Sequence, residues 1–433
     1  MAGAPRCLIL EGADLIDGSG APAVKDSVIA IEHNSIVYAG ARTGRCDCRP
    51  AVRLRLHGKT VIPGLIEAHT HASFDADMQA YLKNGVTTVR FAGLDQITVS
   101  RLCKRIKDAE LRAPRILSCG PMIDQPPPAY PEWSLAVTTP GEAAKIAGQL
   151  IREHDLHALI VTQRVTAPVM RAVIDVAHAH GRRAVGQTWA VDGDEAAMLG
   201  IDELHTSSRV YRSRLYPKER LLAYSSIADR LALASRAWAS LDWDMTQPIM
   251  EAMVERGVAY CGMQVITQFQ VGEGVDALEA DSDFTALFGE HERQAFKDFT
   301  RRLQGSWTEE DLEHARRAND KRIEWMQRYR ALGGVLLAGT DMQFGGIMLH
   351  HELKNLEALG MSGLEVVAAA TGGCAKALGL DTEFGTVREG LRADLVILNR
   401  DPSEDVGALR DVACVIRDGA VVWGEENLTA LQA

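Results

Sequence analysis

From residue 61 onward, short apolar runs alternate with longer stretches in which apolar positions recur at helical spacing. Val61 to His71, Gly85 to Arg90, Ala113 to Cys119, His157 to Val161, Arg183 to Gln187, Ile201 to His205, Val258 to Val265 and Val335 to Thr340 read as strands. Between them, Thr166 to His180 reads as a helix, with Thr166 as cap, Pro168 in the first turn and Gly181 as terminator. Asp192 to Leu199 ends the same way at Gly200, and Pro248 to Arg256 at Gly257. Strands alternating with helices call for parallel βα units with right-handed crossovers. About eight such units fit between residues 61 and 375, the count of a (β/α)8 TIM-like barrel; an open, doubly wound sheet is the rival.

The two ends of the chain have another rhythm. Leu8 to Leu10, Val28 to Ile31 and Ile36 to Tyr38 are short β-prone runs, and His33-Asn34 stands where a hairpin should turn. Phe384 to Leu398 and Ala413 to Trp423 return to that character. Residues 1–60 and 376–433 are therefore expected to share one small β-sandwich, beside an α/β barrel over residues 61–375. A charged helical insertion at about residues 267–330 precedes the last barrel strand. It reads either as a solvated outer helix pair or as a lid over the barrel mouth.

Composition changes this picture little. The chain has 433 residues, 46% hydrophobic and 24% charged, as soluble globular proteins do. Its formal net charge of −11 disfavours nucleic acid and anionic membrane as partners. No apolar run approaches the ~20 residues that span a bilayer, and Met1-Ala-Gly-Ala-Pro-Arg6 does not look like a secretion signal. The eight cysteines are scattered, with Cys46 and Cys48 the one close pair, and read as ordinary thiols of a cytoplasmic protein.

The sharpest chemical signal is His69-Thr-His71 at the end of an apolar strand. Residues i and i+2 of a strand share a face, so two imidazoles stand side by side as a clamp for a borderline metal ion such as zinc. Asp341 follows the strand from Val335, at a C-terminal strand end where barrel chemistry is found. Tyr130 and Trp133, on the loop after the third strand, and Trp189, after the fifth, favour a substrate with an apolar or aromatic part.

The chain resembles the amidohydrolase superfamily, within it the imidazolonepropionase/prolidase-like group. The resemblance rests on Pro63-Gly-Leu-Ile-Glu-Ala-His-Thr-His71, Gly85-Val-Thr-Thr-Val-Arg90, Ala177-His-Ala-His-Gly181, Ala338-Gly-Thr-Asp341, His351-Glu-Leu353 with Ala369-Ala-Thr371, and Gly385 to Leu395. It implies a metal-dependent barrel with a β-sandwich built from both termini. It further implies His69, His71 and Asp341 as ligands, with Asp341 also shuttling a proton, and His205 as the sixth-strand histidine, a ligand or a support for a developing oxyanion. Arg90 reads as half of a structural ion pair. Two positions depart from the family pattern. Ile160 stands where a carbamylated lysine would bridge two metals, and Gln187 replaces the fifth-strand histidine, so Gln187 is expected at the substrate instead. One divalent ion, zinc by choice of ligands, is what this set can hold. The expected activity is hydrolysis of a C–N bond (amide, lactam or N-acyl) of a small molecule, using water activated by that ion. The alternative is a repurposed barrel doing cyclisation, elimination or decarboxylation, and a third reading is a binding protein without turnover. Self-association is left open.

Overall fold

The computed structural model describes residues 7–42, 51–206, 208–305 and 307–427; Cys46 and Cys48 lie outside them. Five strands open the chain: β1 (Cys7–Leu15), β2 (Val24–Glu32), β3 (Ser35–Ala41), β4 (Ala51–Arg55) and β5 (Thr60–Pro63). Ten follow in the middle: β6 (Leu65–Thr70), β7 (Val86–Phe91), β8 (Arg115–Ser118), β9 (Met122–Asp124), β10 (Ser134–Ala136), β11 (Ala158–Gln163), β12 (Arg183–Thr188), β13 (Glu203–His205), β14 (Ala259–Cys261) and β15 (Leu336–Leu337). Three close it: β16 (Leu395–Leu398), β17 (Val412–Arg417) and β18 (Ala420–Trp423).

The two chain ends meet in one eight-stranded sheet, ordered β18-β17-β16-β5-β1-β2-β3 with β4 on β1. It is one bent sheet rather than two stacked ones. Register shifts at Glu11, Ala13 and Leu15 bend β1, so that its first half pairs with β4 and its last two residues with β5. Apolar clusters cover both faces: Leu8, Leu10, Ile29 and Ile31 on one, Cys7, Ile9, Val28 and Ala30 on the other. Cys7 is disulfide-bonded, which corrects the reading of thiols throughout, whereas Cys103, Cys119, Cys261, Cys374 and Cys414 are free.

The run Val61 to His71 is two strands, not one. Thr60–Pro63 pairs with β1 and β16, and Leu65–Thr70 pairs with β7. Gly64 makes the break because its Cα lies against Thr87; a Cβ there would come 2.0 Å from the Thr87 Oγ1. The passage from terminal sheet to central strands thus falls at residue 64 rather than 61.

The central strands form a mixed α/β fold, parallel throughout, in two sheets: β6-β7-β8, and β10-β9-β11-β12-β13-β14-β15. A closed ladder of eight is not formed. Backbone hydrogen bonds outside any ladder span the two gaps: Ala68 N to Ala338 O at 2.9 Å, with further bonds from the following loop, on one side, and His157 N to Ser118 O at 2.7 Å on the other. The last strands are shorter than their apolar runs because the chain finds other partners. Met263 turns left-handed, and Gln264–Gln270 becomes a helix whose first N–H groups donate to Glu352. Thr340 and Asp341 donate to His69 O instead of continuing β15. The helix expected from Pro248 starts earlier, at Trp243, capped by Asp242, and carries Pro248 inside it.

The stretch between β14 and β15 is all helix: Gln264–Gln270, Val275–Glu279, Ser282–Leu287, Glu290–Gln304 and Glu309–Ala331. The last and longest packs along Ile227–Ala239 through Trp238 and Trp325, whose rings meet edge to face. No helix among the described residues is long and apolar enough to cross a membrane.

Two tests follow. Gly64→Ala forces a side chain into Thr87 and should cost on the order of 1–3 kcal/mol of stability, read from urea midpoints. An unchanged midpoint would place the two sheets on a looser joint. Separately, His157 and His350 donate from Nε2 to the carbonyls of Leu378 (2.9 Å) and Asn84 (3.0 Å). Burial pushes them down to about 4 and about 3. The unfolded chain takes up those protons near pH 6.5, so stability is full above that pH. It falls as pH drops toward 4, by up to about 1.4 kcal/mol per pH unit for each histidine. The metal-free protein should therefore have a lower urea midpoint at pH 5 than at pH 7, and His157→Gln should narrow the gap.

Candidate metal centre

Strand β6 and the loop after β15 are zipped together. Thr340 N and Asp341 N both donate to His69 O, at 2.9 and 3.1 Å, and His71 N donates to Met342 O at 3.1 Å. The Thr70 hydroxyl also donates to Met342 O, at 3.0 Å. Gly339 permits the approach, since a Cβ there would come 2.9 Å from His69 N and 2.7 Å from Cys261 Sγ. Asp341 itself sits at φ +57°, left-handed backbone that costs a non-glycine residue some strain. The zipper brings the Asp341 carboxylate to the histidines: Oδ1 lies 3.0 Å from His69 Nε2 and 2.8 Å from His71 Nε2.

The second nitrogen of His69 explains the state of the first. Arg90, fully buried on β7, donates to the Ala68 carbonyl at 2.7 Å and forms an ion pair with Glu203. The Glu203 carboxylate, which can only accept, faces His205 Nε2 at 2.7 Å. A neutral His205 would donate from Nε2 and accept at Nδ1, where His69 Nδ1 approaches to 2.8 Å. His69 Nδ1–H is the donor, so its Nε2 carries a lone pair aimed at Asp341. Burial pushes His69 down to about 3, against the pull of Asp341, so its ring is neutral near pH 7. For Asp341, burial pushes up, while a proton on either imidazole, His69 or His71, pulls its carboxyl well below the usual range. Glu203 is likewise held low by Arg90 and His205 against burial.

A neutral imidazole lone pair and an ionised carboxylate, both acceptors at 3.0 Å, repel each other unless a cation lies between them. His69, His71 and Asp341 each turn one donor atom inward, all within 4.8 Å of one another. Two imidazoles and one carboxylate suit zinc or a similar divalent ion with an open coordination position. The donor set fits a metal.

The other sequence candidates fall around this group. His205 stands outside it: both its nitrogens are engaged, and it does not border the cavity. Glu203, two residues earlier on the same strand face, is what occupies its Nε2. Ile160, itself without a donor atom, packs among Ala92, Cys119, Met122, Ala158 and Val185. Gln187, Tyr130, Trp133 and Trp189 all line a cavity of about 630 Å³ that reaches His71 and Asp341. Trp133 stacks on the His71 ring at 5.6 Å and on Tyr130 at 6.0 Å. Residues the sequence reading missed close the cavity from above. Leu231 and Trp238 come from the helix Ile227–Ala239, and Thr267, Phe296 and Arg322 from the insertion. The insertion thus contributes to the wall of the cavity.

The amidohydrolase family model matches residues 308–422. In sequence the chain is 21% identical to the 5-methylthioadenosine/S-adenosylhomocysteine deaminase of Symbiobacterium thermophilum, over 96% of this chain and 93% of that one. In structure it is similar to a Bifidobacterium longum protein described as a prolidase, with TM-score 0.72 and 22% identity over 99% of this chain and 98% of that one. It is also similar to the bottromycin amidohydrolase, with TM-score 0.73 and 20% identity over 99% and 90%. The family match over residues 308–422, the full-length likenesses and the histidine–aspartate group at the strand ends all point toward the amidohydrolase superfamily.

Proposed function

We propose that the protein is a metal-dependent hydrolase of a C–N bond in a small, partly apolar or aromatic amide, lactam or N-acyl compound. One divalent ion, zinc by the choice of donors, would be held by His69, His71 and Asp341. The convergence of these three donors at one end of an aromatic-lined cavity carries the reading. The hydrolytic direction is supported by the family match and by the amidohydrolase and deaminase likenesses. We read the two central sheets as the wall of one (β/α)8 barrel over residues 64–375, gapped where isolated backbone hydrogen bonds replace a ladder, and the terminal sheet as a second domain.

A bound divalent ion at this position supplies Lewis acidity, polarising a carbonyl and making water more acidic. The chain's own residues do the rest. Asp341 is ionised, and its Oδ1 is directed at the two imidazoles, which leaves Oδ2 to take the proton of the attacking water and pass it to the leaving nitrogen. Gln187 borders the cavity at the end of β12 and can donate from its amide to the carbonyl oxygen of the substrate as charge develops there. Trp133, stacked on His71, and the helices above keep bulk water from the reacting bond. His205 and Glu203 hold His69 in the tautomer that binds metal. With Ile160 in an apolar cluster and Gln187 a neutral amide, a second dication has no anionic ligand.

Two outcomes test this. Purified protein should hold about one zinc per chain after dialysis, and chelation should remove activity that zinc restores. Turnover is measured on a panel of N-acyl amino acids and lactams, and His71→Ala or Asp341→Ala should lose both metal and turnover. Metal content and rates indifferent to both substitutions would place the working site elsewhere. Glu203→Gln offers His205 an amide in place of a carboxylate, and should weaken zinc binding about 10- to 100-fold in a chelator competition. An unchanged zinc affinity would reduce the Arg90–Glu203–His205 chain to packing.

A further inference from the structure

Arg230, on the helix Ile227–Ala239, is 3% exposed, and Arg322, on Glu309–Ala331, is 8% exposed; both line the cavity. Among the described residues neither meets a carboxylate. Arg230 donates from Nη2 to the Tyr130 hydroxyl, and its guanidinium carbon lies 4.9 Å from the Tyr130 ring centre and 5.8 Å from that of Trp189. Arg322 donates from Nη1 to Asn319 Oδ1 at 3.0 Å and lies 5.3 Å from the Trp238 ring centre. The Nε of each is buried without an acceptor.

The contrast with the other buried arginines is direct. Arg90 is paired with Glu203 and Arg209 with Asp192. Where this fold buries a guanidinium for its own sake, it supplies a carboxylate. At the cavity it does not. The cavity's own carboxylates do not fill the gap, since Asp341 is engaged with the histidines and Glu132 is exposed at the rim. Stacking on aromatic rings offsets only part of the cost of an unpaired buried cation. A site built to be neutralised by its ligand leaves such cations waiting.

We propose that Arg230 and Arg322 form an anion-binding pole in the helical cover of the cavity, and that the substrate carries a carboxylate. This rests on the hydrolase reading above for the identity of the other end. The carboxylate lies in the helical cover, the apolar or aromatic part runs along Trp189 and Trp133, and the bond to be cut reaches His71 and Asp341. Trp133 stacks between Tyr130, which accepts from Arg230, and His71, so one aromatic wall joins the two ends. A fork of N–H donors in apolar surroundings suits a planar, singly charged carboxylate.

The probe pair is 3-phenylpropionate and its neutral isostere 3-phenylpropanamide, titrated calorimetrically into zinc-loaded and chelator-stripped full-length protein. The acid should bind at least about tenfold more tightly than the amide. The preference should survive removal of the metal, because the arginines supply it. Arg230→Gln and Arg322→Gln should each cut it several-fold. Equal or undetectable acid binding overturns the proposal, as does a preference that leaves with the metal or persists in both variants. Ligand-free Arg322→Met should melt at a higher temperature than the parent, since it removes an unpaired buried charge; a lower melting temperature would mark Arg322 as structural and overturn its part. Binding is read without turnover, so the two readings fail separately. Acid preference with no hydrolysis of any panel compound sinks the hydrolase alone. Hydrolysis with no acid preference sinks the anion pole alone.

Discussion

A buried line of charge, Arg90–Glu203–His205–His69, is the constraint on which the site depends. It crosses the interior from β7 to β13 to β6 and delivers one nitrogen lone pair to Asp341. Every member is fully or almost fully buried. Burying an ion pair is seldom a net gain in stability, but removing one partner leaves an uncompensated charge and is costly. The line is therefore all or nothing. It locks the relative placement of three strands and, through the same contacts, the tautomer of a metal ligand.

The same line engages His205 on both sides. A histidine at the end of the sixth parallel strand is free to serve as ligand only if its nitrogens are free. Here Glu203, two residues earlier on the same face, takes one and His69 takes the other. The fourth strand offers Ile160 inside an apolar cluster, and the fifth offers an amide. An isolated charge in that quarter of the interior would be buried without compensation. Apolar packing and a closed hydrogen-bond chain fill this space.

The cover over the cavity comes from far along the chain. Helices 227–239 and 309–331 pack on each other through aromatic residues and bring Trp238, Arg230 and Arg322 to the same cavity as His71 and Asp341. The strands supply the reacting end, and these helices supply the shape and charge of the pocket. Substrate choice is thus separated from chemistry, so the cover can change without disturbing the donor group below.

How much of this was legible in the chain depends on the range of the interaction. His69 and His71 were legible because i and i+2 on a strand share a face whatever the surroundings. Asp341 was legible from its place at the end of an apolar run, and Ile160 from the want of any donor atom. The short pair Glu203 and His205 was open to the same i, i+2 argument, which would have exposed the engagement of His205. Other outcomes were not local. The split of Val61–His71 at Gly64 depends on Thr87, and the shortness of β14 depends on Glu352 capping the next helix. The single bent terminal sheet depends on bulges in β1. The arginines of the cover looked like any charged residue on a solvated helix. Their lack of a partner exists only once two helices have closed over them. Periodicity and residue chemistry along the sequence determined which elements form and which atoms could hold a metal, because those properties are set within a few residues. Only the tertiary structure decided which donors converge, which tautomer they hold and which charges are left unpaired, because these depend on groups hundreds of residues apart sharing one dry interior.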